Sequence, residues 1–403
     1  MMDSREDLGI NSEDKDRVHL KRSFACSPIT TKGYTTTGTS SMDYRDWSVK
    51  NHTGHTSFNY IAALYGPSAT NDTLLGLGDP VFENATYIYT NLKEVGPLYY
   101  NYGDAGYDIG LVFLEQNNKG QRPKLTRSLK TEFFDNSQGF NPVPELSIPN
   151  STINLVFVSF SGAYLKPSDD LWLSAHKNTT MVSGESHFAK DGNIIYLMDN
   201  LLSVLACSEK FQLCNPFPDT GTTPQCITPL SVAQMSYIPD DELRQIFPRD
   251  NQIATIIALT TVAVYSSFIS TMSGLDRPLL VENRVAGIKS LAPASDQWVL
   301  EAKTLFSIGL AGFQRLLLDY ISGPSPQYVP YMLFANQSEN DSNLQWLCVN
   351  HIIKRSDYTN FSTLAISLIF GLGFIVIGTS LCLETVVGSV RPKWGKEQWK
   401  QTT

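Results

Sequence analysis

The side chains best suited to chemistry lie in one short segment, PSDDLWLSAHK at residues 167–177. Asp169, Asp170 and His176 are three titratable groups within it. Carboxylates beside an imidazole can transfer protons or hold a metal ion. Trp172, between them, could supply a flat apolar face on which a sugar ring stacks. Asp169, Asp170 and His176 are therefore the candidate catalytic residues.

The same segment also has a structural interpretation, which we favour. Ser168 or Asp169 can cap a short helix from which Trp172 points inward. The sequence fixes no nucleophile or partner carboxylate for catalysis beside these residues. We therefore favour a protein without enzymatic activity over an enzyme, and we expect neither a cofactor nor a metal ion.

Motifs of known enzymatic chemistry are missing from the chain. It contains no GxSxG, HExxH, Walker A or CxxCH sequence. His52 and His55 stand in HTGH beside Asn51. Two histidines do not complete a metal site, so we expect a solvated loop at this position.

Composition excludes some function classes. The chain has 403 residues, of which 17% are charged, below the ~25% of an ordinary soluble domain. Its net charge of −8 gives nucleic acid no electrostatic attraction. Six cysteines are too few for a disulfide-built scaffold, and none forms a CxxC pair. A membrane or secretory setting is favoured.

A long uncharged segment lies near the C-terminus. Between Asp357 and Glu384 no side chain is charged, and TLAISLIFGLGFIVIGTSLCL is dense in Leu, Ile, Phe and Val. This exceeds the ~20 residues with which a helix crosses a bilayer. We predict a transmembrane helix over residues 358–387, with the lipid bilayer as partner. The Lys- and Arg-rich tail at 388–403 is then expected in the cytosol.

A second uncharged run, residues 251–275, contains many Ser and Thr. A second membrane span is one interpretation. A helical projection instead separates two sides and predicts a partly amphipathic buried helix. The polar side holds Thr255, Ser266, Ser270 and Ser273, and the apolar side holds Ile253, Ile257, Val264 and Phe268.

Acceptors for N-linked glycans precede the predicted transmembrane segment. Asn360 abuts the bilayer and is expected to stay unmodified. The Asn-x-Ser/Thr sequences of the chain are in moderate excess over the number expected by chance. They predict that the part of the chain before the transmembrane segment is lumenal or extracellular. The remaining acceptors are Asn51, Asn71, Asn84, Asn150, Asn178, Asn336 and Asn340.

The start of the chain points the other way. Residues 1–22 are half charged and contain no apolar signal sequence. One interpretation is a tail-anchored protein with its bulk in the cytosol and its glycan acceptors unused. The other, which we favour, is that an N-terminal signal or anchor is missing. The charged start is then a cytosolic stub or a wrongly joined exon.

Short apolar segments separated by Gly, Pro and Asn predict strands in the first half of the chain, and helical patterns follow. TYIYTNL, YDIGLVFLE, TINLVFVSF and NIIYLMD are the strand candidates. After Ser295 an apolar stripe predicts a helix that ends at Gly323. The fold class is α+β: a β-rich outer part packed on a helical, membrane-proximal part, plus one C-terminal transmembrane helix. The expected divisions are a disordered N-terminus (1–25), a β-rich ectodomain (26–230), its helical membrane-proximal part (231–357), the transmembrane helix (358–387) and the tail (388–403).

CSEKFQLCNPFPDTGTTPQCITPL, at residues 207–230, resembles a C-x6-C-N-P…C-T-P-L element of a family of uncharacterised fungal membrane glycoproteins. The likeness extends to NPVPELSIP, KPSDDLWLSAHK, QWLCVN and the final apolar segment. It implies a fungal origin and a glycosylated ectodomain between two anchors, the first of which this chain lacks. The resemblance implies no activity.

In that family layout Cys26 and Cys348 each adjoin an anchor, which implies a disulfide between them. Cys214 and Cys226 flank a Pro- and Gly-rich segment that can turn back, so we expect a second, local disulfide there. Cys207 is then unpaired, or it replaces Cys214 as the partner of Cys226. Cys382 is expected to be a free thiol within the membrane.

Two function hypotheses remain open from the sequence. The first is a single-pass, or with a missing anchor two-pass, fungal membrane glycoprotein of the secretory pathway or plasma membrane, which acts by interaction. The alternative is a membrane-bound accessory protein or enzyme of fungal secondary metabolism. The sequence names no protein or small-molecule partner for either.

Overall fold

The computed structural model describes residues 1–46, 52–67, 84–90, 107–114, 142–180, 194–219, 223–235, 238–286, 289–323, 342–352 and 367–383. The chain divides into an N-terminal unit, Met1–Ile352, and a C-terminal unit, Ile353–Thr403. The N-terminal unit combines several β-sheets with helices. The α+β prediction is therefore confirmed for this unit.

The largest sheet is antiparallel, and the segment TINLVFVSF forms its most buried strand. Its order is β1-β2-β11-β7-β6, and the short β12 pairs with β11. Every residue of β7 is buried, which explains its nearly continuous apolar sequence. The strands are β1 (Met2–Asp3), β2 (His19–Ile29), β6 (Tyr107–Leu114), β7 (Thr152–Phe160), β11 (Ser203–Asn215) and β12 (Gln225–Cys226).

Two smaller sheets complete the β structure of the described residues. One has the order β3-β4-β5, formed by β3 (Thr35–Asp46), β4 (His52–Ala63) and β5 (Tyr87–Thr90). The other has the order β13-β14-β8-β10-β9, formed by β8 (Ala163–Tyr164), β9 (Lys177–Thr180), β10 (Ile194–Leu197), β13 (Val285–Ala286) and β14 (Lys289–Ser290). All four segments predicted as strands contain strands.

The histidines of HTGH lie in a strand, so the predicted loop is wrong. His52 pairs with Asp46, and His55 pairs with Asp43, in the antiparallel ladder of β3 and β4. Thr53 favours a strand, and backbone pairing along these two long strands outweighs Gly54, which does not.

Most helices follow the strands along the chain, but the short strands β13 and β14 lie within the segment predicted to be helical. The long helix α5 ends at Gly323, whose φ of +81° a glycine adopts at little cost. Its buried face includes Ala302, Leu305 and Phe313 from the predicted stripe. The helices are α1 (Val232–Met235), α2 (Asp240–Ile246), α3 (Asp250–Tyr265), α4 (Phe268–Ser273), α5 (Gln297–Ser322) and α6 (Ser342–Val349).

The uncharged run at 251–275 forms α3 and α4 inside the N-terminal unit, so its prediction as buried helix is confirmed. The predicted division into polar and apolar sides is wrong in part, because Thr255 is buried and Ile257 is exposed. Thr255 Oγ1 donates to the carbonyl of Asn251 at 2.9 Å, one turn earlier. A hydroxyl satisfied within its own helix can enter the core.

The charged N-terminus is folded, which corrects the predicted disorder of residues 1–25. Ile10, Val18 and Leu20 are fully buried in the helical core. The Ile352 amide donates to the Gly9 carbonyl at 2.7 Å, so the two ends of the unit lie side by side. Many of the charged side chains are exposed, and others are paired: His19 Nε2 lies 2.7 Å from Asp3 Oδ2.

In the C-terminal unit, residues 367–383 form a helix, α7, whose side chains are all exposed. Across the described parts of the chain, no helix meets the length and apolarity required to cross a membrane. Residues 358–366 and 384–387 of the predicted transmembrane segment lie outside the described residues, as does the tail at 388–403.

Candidate functional site

Segment 167–177 forms a closed loop, which separates its candidate residues. Ser168 and Ala175 exchange two backbone hydrogen bonds of 3.0 Å each. Asp170 lies inside the loop and is fully buried, whereas the side chains of Asp169 and His176 are exposed by 86% and 51%. The structure thus brings Asp169 and His176 together at the surface and places Asp170 in the core.

Asp170 fastens this loop to the first turn of α5. Its Oδ1 accepts hydrogen bonds from the amides of Trp172 at 2.9 Å and Leu173 at 2.8 Å. Its Oδ2 accepts one from the Trp298 amide at 2.9 Å. Burial raises the pKa of Asp170, and these backbone hydrogen bonds oppose the rise. With both oxygens used in this way, Asp170 is a structural cap.

Trp172 packs inward, as the structural interpretation of the segment predicts. It is 1% exposed and belongs to the same apolar cluster as Tyr164 and Leu305. The hypothesis that it forms a sugar platform is therefore wrong. The short helix expected here is also absent, since residues 171–173 form a bend. The capping carboxylate is Asp170, and the helix it caps is the distant α5.

His176 lies between two carboxylates at the surface. Its Nδ1 is 2.7 Å from Asp199 Oδ2, and its Nε2 is 3.0 Å from Asp169 Oδ1. The hydrogen bond with Asp199, and then the one with Asp169, raises the pKa of His176. Partial burial acts to raise the pKa of Asp199, but the hydrogen bonds from His176 outweigh burial and lower it. The three side chains form a surface clamp.

This arrangement is poorly suited to catalysis. Both ring nitrogens of His176 are bonded to carboxylates, so neither is free to accept a proton from a substrate. Nor do the described residues contain any group of three His, Cys, Asp or Glu side chains placed to hold a metal ion. The clamp connects the 167–177 loop to Asp199, just beyond β10, and we assign it a structural role.

Sequence reasoning missed a buried carboxylate one turn further along α5. Glu301 is fully buried and accepts hydrogen bonds from the Leu280 amide at 2.7 Å, the Val281 amide at 3.0 Å and Gln297 Nε2 at 2.8 Å. Burial raises its pKa, and these bonds oppose the rise. Its backbone partners lie about 20 residues away, so no local pattern reveals them.

Two tyrosines form a further buried polar pair. The hydroxyls of Tyr107 and Tyr164 lie 2.9 Å apart. Burial raises the pKa of Tyr107 to about 12, although its hydrogen bonds with Tyr164 and Ser290 lower it. Both tyrosines belong to or pack against the apolar cluster around Trp172. This pair also connects two sheets, from β6 to β8.

The disulfides differ from the expected pairing in one case. Cys214 and Cys226 are bonded, as predicted. Cys26 is bonded to Cys207, its direct neighbour across β2 and β11, so the predicted Cys26–Cys348 bond is wrong. Cys348 and Cys382 are free thiols. The predicted bond rested on the family layout, which does not reveal that Cys26 lies directly opposite Cys207 on neighbouring strands.

Three predicted glycan acceptors lie in the described residues. Asn84 is exposed, and Asn178 is exposed on the edge strand β9. Asn150 is half-buried and has a φ of +53°, the left-handed conformation that asparagine tolerates better than most residues. Five more acceptors lie outside the described residues: Asn51, Asn71, Asn336, Asn340 and Asn360.

Asn150 borders a surface groove of about 390 Å³ between β12 and α2. The Leu230 amide donates to the Phe211 carbonyl at 2.7 Å, and the Ile227 amide donates to the Leu213 carbonyl at 3.0 Å. These bonds fix one wall of the groove to β11. The groove has an apolar part, Ile227, Leu230 and Ile238, and a polar part, Thr228, Gln234 and Glu242.

Comparison of the chain with protein-family models, curated proteins and solved structures finds no match. The class of protein must therefore be inferred from its own residues.

Proposed function

We propose that this chain is a membrane-anchored glycoprotein whose N-terminal unit is lumenal or extracellular and acts by interaction. Helix α7 carries the proposal. It has no charged residue, and its apolar side chains are exposed all round, from 57% at Leu368 to 74% at Phe374. A helix that is apolar on every side is stable only when covered by protein or lipid. Lipid is the cover we propose.

The proposed anchor is longer than the described helix. Residues 358–387 supply it, and the basic tail at 388–403 lies in the cytosol. The resemblance to fungal membrane glycoproteins supports the same C-terminal anchor and a glycosylated N-terminal unit. In the competing tail-anchored arrangement, the N-terminal unit would face the cytosol.

The two disulfides favour the lumenal side over the cytosolic one. Cys26 and Cys207 are directly opposed on neighbouring strands, and so are Cys214 and Cys226. Stable disulfides persist in the secretory pathway and outside the cell, whereas cytosolic reductants keep such thiols reduced. Asn84 and Asn178 are exposed, so each could also carry a glycan added in the lumen without disturbing the fold.

A role in interaction agrees with the chemistry of the candidate site. Asp170 is used as a helix cap, and His176 is held between two carboxylates. The remaining buried carboxylate described above, Glu301, holds backbone amides in place. Each candidate group thus has a structural task.

Alkaline carbonate extraction of membranes from a fungus expressing the full tagged chain tests the anchor. We expect the chain to stay in the membrane pellet. The variant Ile375→Arg/Val376→Arg should move into the supernatant, because each arginine at a helix centre opposes insertion by about 3 kcal/mol. The matched control, Leu197→Arg/Leu201→Arg, changes two exposed leucines of the N-terminal unit and should stay in the pellet. Extraction of the unmodified chain would refute the anchor.

A further inference from the structure

The sequence Asn150-Ser151-Thr152 is held rigidly beside the groove between β12 and α2. Thr152 Oγ1 accepts a hydrogen bond of 2.9 Å from the amide of Val232, the first residue of α1. Ser151 Oγ donates to the Ile148 carbonyl at 2.6 Å. Two bonded residues therefore directly follow the acceptor asparagine, and the Ser151–Ile148 bond spans it. Asn150 itself borders the groove.

We infer that this groove seats the N-linked glycan of Asn150 itself. The inference rests on the proposed lumenal location, since only there is the glycan added. A sugar ring has an apolar face of C–H groups and a polar rim of hydroxyls. The groove offers both kinds of partner: half-buried Leu230 and Ile238, and the polar side chains of Thr228 and Glu242.

The size and open form of the groove fit a tethered ligand. Its volume of about 390 Å³ lies near the lower end of the ~300–1,000 Å³ of small-molecule pockets. It has few groups with which to hold a free ligand. A covalently attached sugar needs much less affinity, because a short tether keeps it at an effective concentration of about millimolar or more. Asn178 lies on the exposed edge strand β9 and is not among the residues that border this groove.

The disulfide Cys214–Cys226 holds the groove in shape. It joins β11 to β12, and residue 227 immediately follows the bonded cysteine. Gln212 Nε2 donates to the Ile227 carbonyl at 3.0 Å, which adds a second connection between β11 and this wall. The groove is therefore formed before a sugar enters it.

Glycosidase protection tests the inference on the full chain purified from a fungal host in mild detergent. Mass spectrometry of glycopeptides first gives the occupancy of Asn84, Asn150 and Asn178. An endoglycosidase is then applied to the native protein, and release is followed at each site. We expect the glycan at Asn150 to be released about tenfold more slowly than the glycan at Asn178. A tenfold difference corresponds to an equilibrium constant of about 10 in favour of the docked glycan. After denaturation the two rates should be equal.

Variants separate docking in the groove from simple crowding. Thr228→Ala/Glu242→Ala keeps the acceptor sequence and removes polar partners, so it should bring native release at Asn150 close to that at Asn178. Asp241→Ala changes an exposed neighbour of Glu242 and should leave both rates as they were. Two results would overturn the groove inference alone. One is a chain with glycans at Asn84 and Asn178 but none at Asn150, and the other is equal rates of glycan release from the native protein at Asn150 and Asn178. Protection that persists in Thr228→Ala/Glu242→Ala would also overturn that inference. An unmodified chain would overturn the proposed location as well.

Discussion

Arg22 and Glu209 form an ion pair in the interior of the N-terminal unit. Nη2 of Arg22 lies 2.6 Å from Oε1 of Glu209, and the side chains are only 2% and 1% exposed. The rings of Phe211 and Phe306 flank the guanidinium, with centroids 5.6 and 5.4 Å away. The other oxygen of Glu209 accepts a hydrogen bond from the Phe268 amide at 3.0 Å, at the start of α4. The pair thus ties the charged N-terminal strand into the core.

Removing one partner of this pair should destabilise the protein strongly. Glu209→Ala leaves Arg22 buried and uncompensated, at a cost of about 3–5 kcal/mol in the free energy of unfolding. Replacing both, as in Arg22→Met/Glu209→Leu, should recover much of that loss because no buried charge remains. Urea denaturation followed by circular dichroism measures both effects.

A surface pair supplies the control for that measurement. Arg315 and Asp319 lie one turn apart on α5 with Nε 3.0 Å from Oδ2. Arg315→Met should change the free energy of unfolding by about 0.5 kcal/mol or less. Equal effects of Glu209→Ala and Arg315→Met would mean that the strand at residues 19–29 is not held in the core.

The two neighbouring aspartates of the 167–177 loop should respond very differently to substitution. Asp170→Ala removes the acceptor of three backbone amides, including that of Trp298, and should cost about 3 kcal/mol. Asp169→Ala removes an exposed carboxylate and should cost about 0.5 kcal/mol or less. Thermal unfolding compares the two variants directly, and equal losses would contradict the assignment of Asp170 as the cap.

The fold could be predicted from sequence where the signals are local. The stripe that includes Ala302 and Leu305 indicates α5 because its apolar positions recur with the helical period. TINLVFVSF indicates β7 because a strand buried on both faces is largely apolar. Each of these signals lies within one element.

The folding of the charged N-terminal segment could not be predicted in the same way, because its stability depends on residues that are distant in sequence. Arg22 pairs with a residue 187 positions away. One local signal was available: Leu20, Arg22 and Phe24 alternate with exposed residues along β2, the period of a strand. The arginine among them masked the pattern. At the candidate site, nothing near Asp170 in sequence shows that it caps a helix 128 residues later.

The surface clamp of His176 should make stability depend on pH in a defined direction. The folded-state pKa of His176 is raised above its ordinary value of 6.5. Its contribution is therefore complete below about pH 6.5 and is lost as the pH rises through the higher folded value. The pKa of Asp199 is lowered from 3.8, so its contribution is lost in acid as the pH falls through that lower value. Asp169 and Lys177 are the other charged groups that face the clamp.

The variant His176→Gln isolates this contribution. The Tm of the unmodified chain should exceed that of His176→Gln at pH 5.5, and the difference should disappear in mildly alkaline buffer. Differential scanning fluorimetry across this range provides the measurement. A Tm difference that stays constant with pH would show that His176 acts only through packing.

The two disulfides should differ in their contribution to stability. Cys26–Cys207 closes a loop with a sequence separation of 181, whereas Cys214–Cys226 spans 12. The chain-entropy model gives about 5 and about 3 kcal/mol for these loops. Cys26→Ser/Cys207→Ser should therefore lower the free energy of unfolding more than Cys214→Ser/Cys226→Ser does. Cys348→Ser serves as the control, since this thiol is free. A non-reducing peptide map that joins Cys26 to Cys348 would contradict the pairing.

Protease protection in sealed microsomes tests most directly whether the N-terminal unit is lumenal and the tail cytosolic. The full chain carries one epitope in the tail after residue 403 and is probed with a second antibody against the N-terminal unit. We predict that added protease removes the tail epitope and leaves a slightly shortened chain intact until detergent opens the vesicles. Digestion of the N-terminal unit in sealed vesicles would contradict this arrangement and support the tail-anchored one.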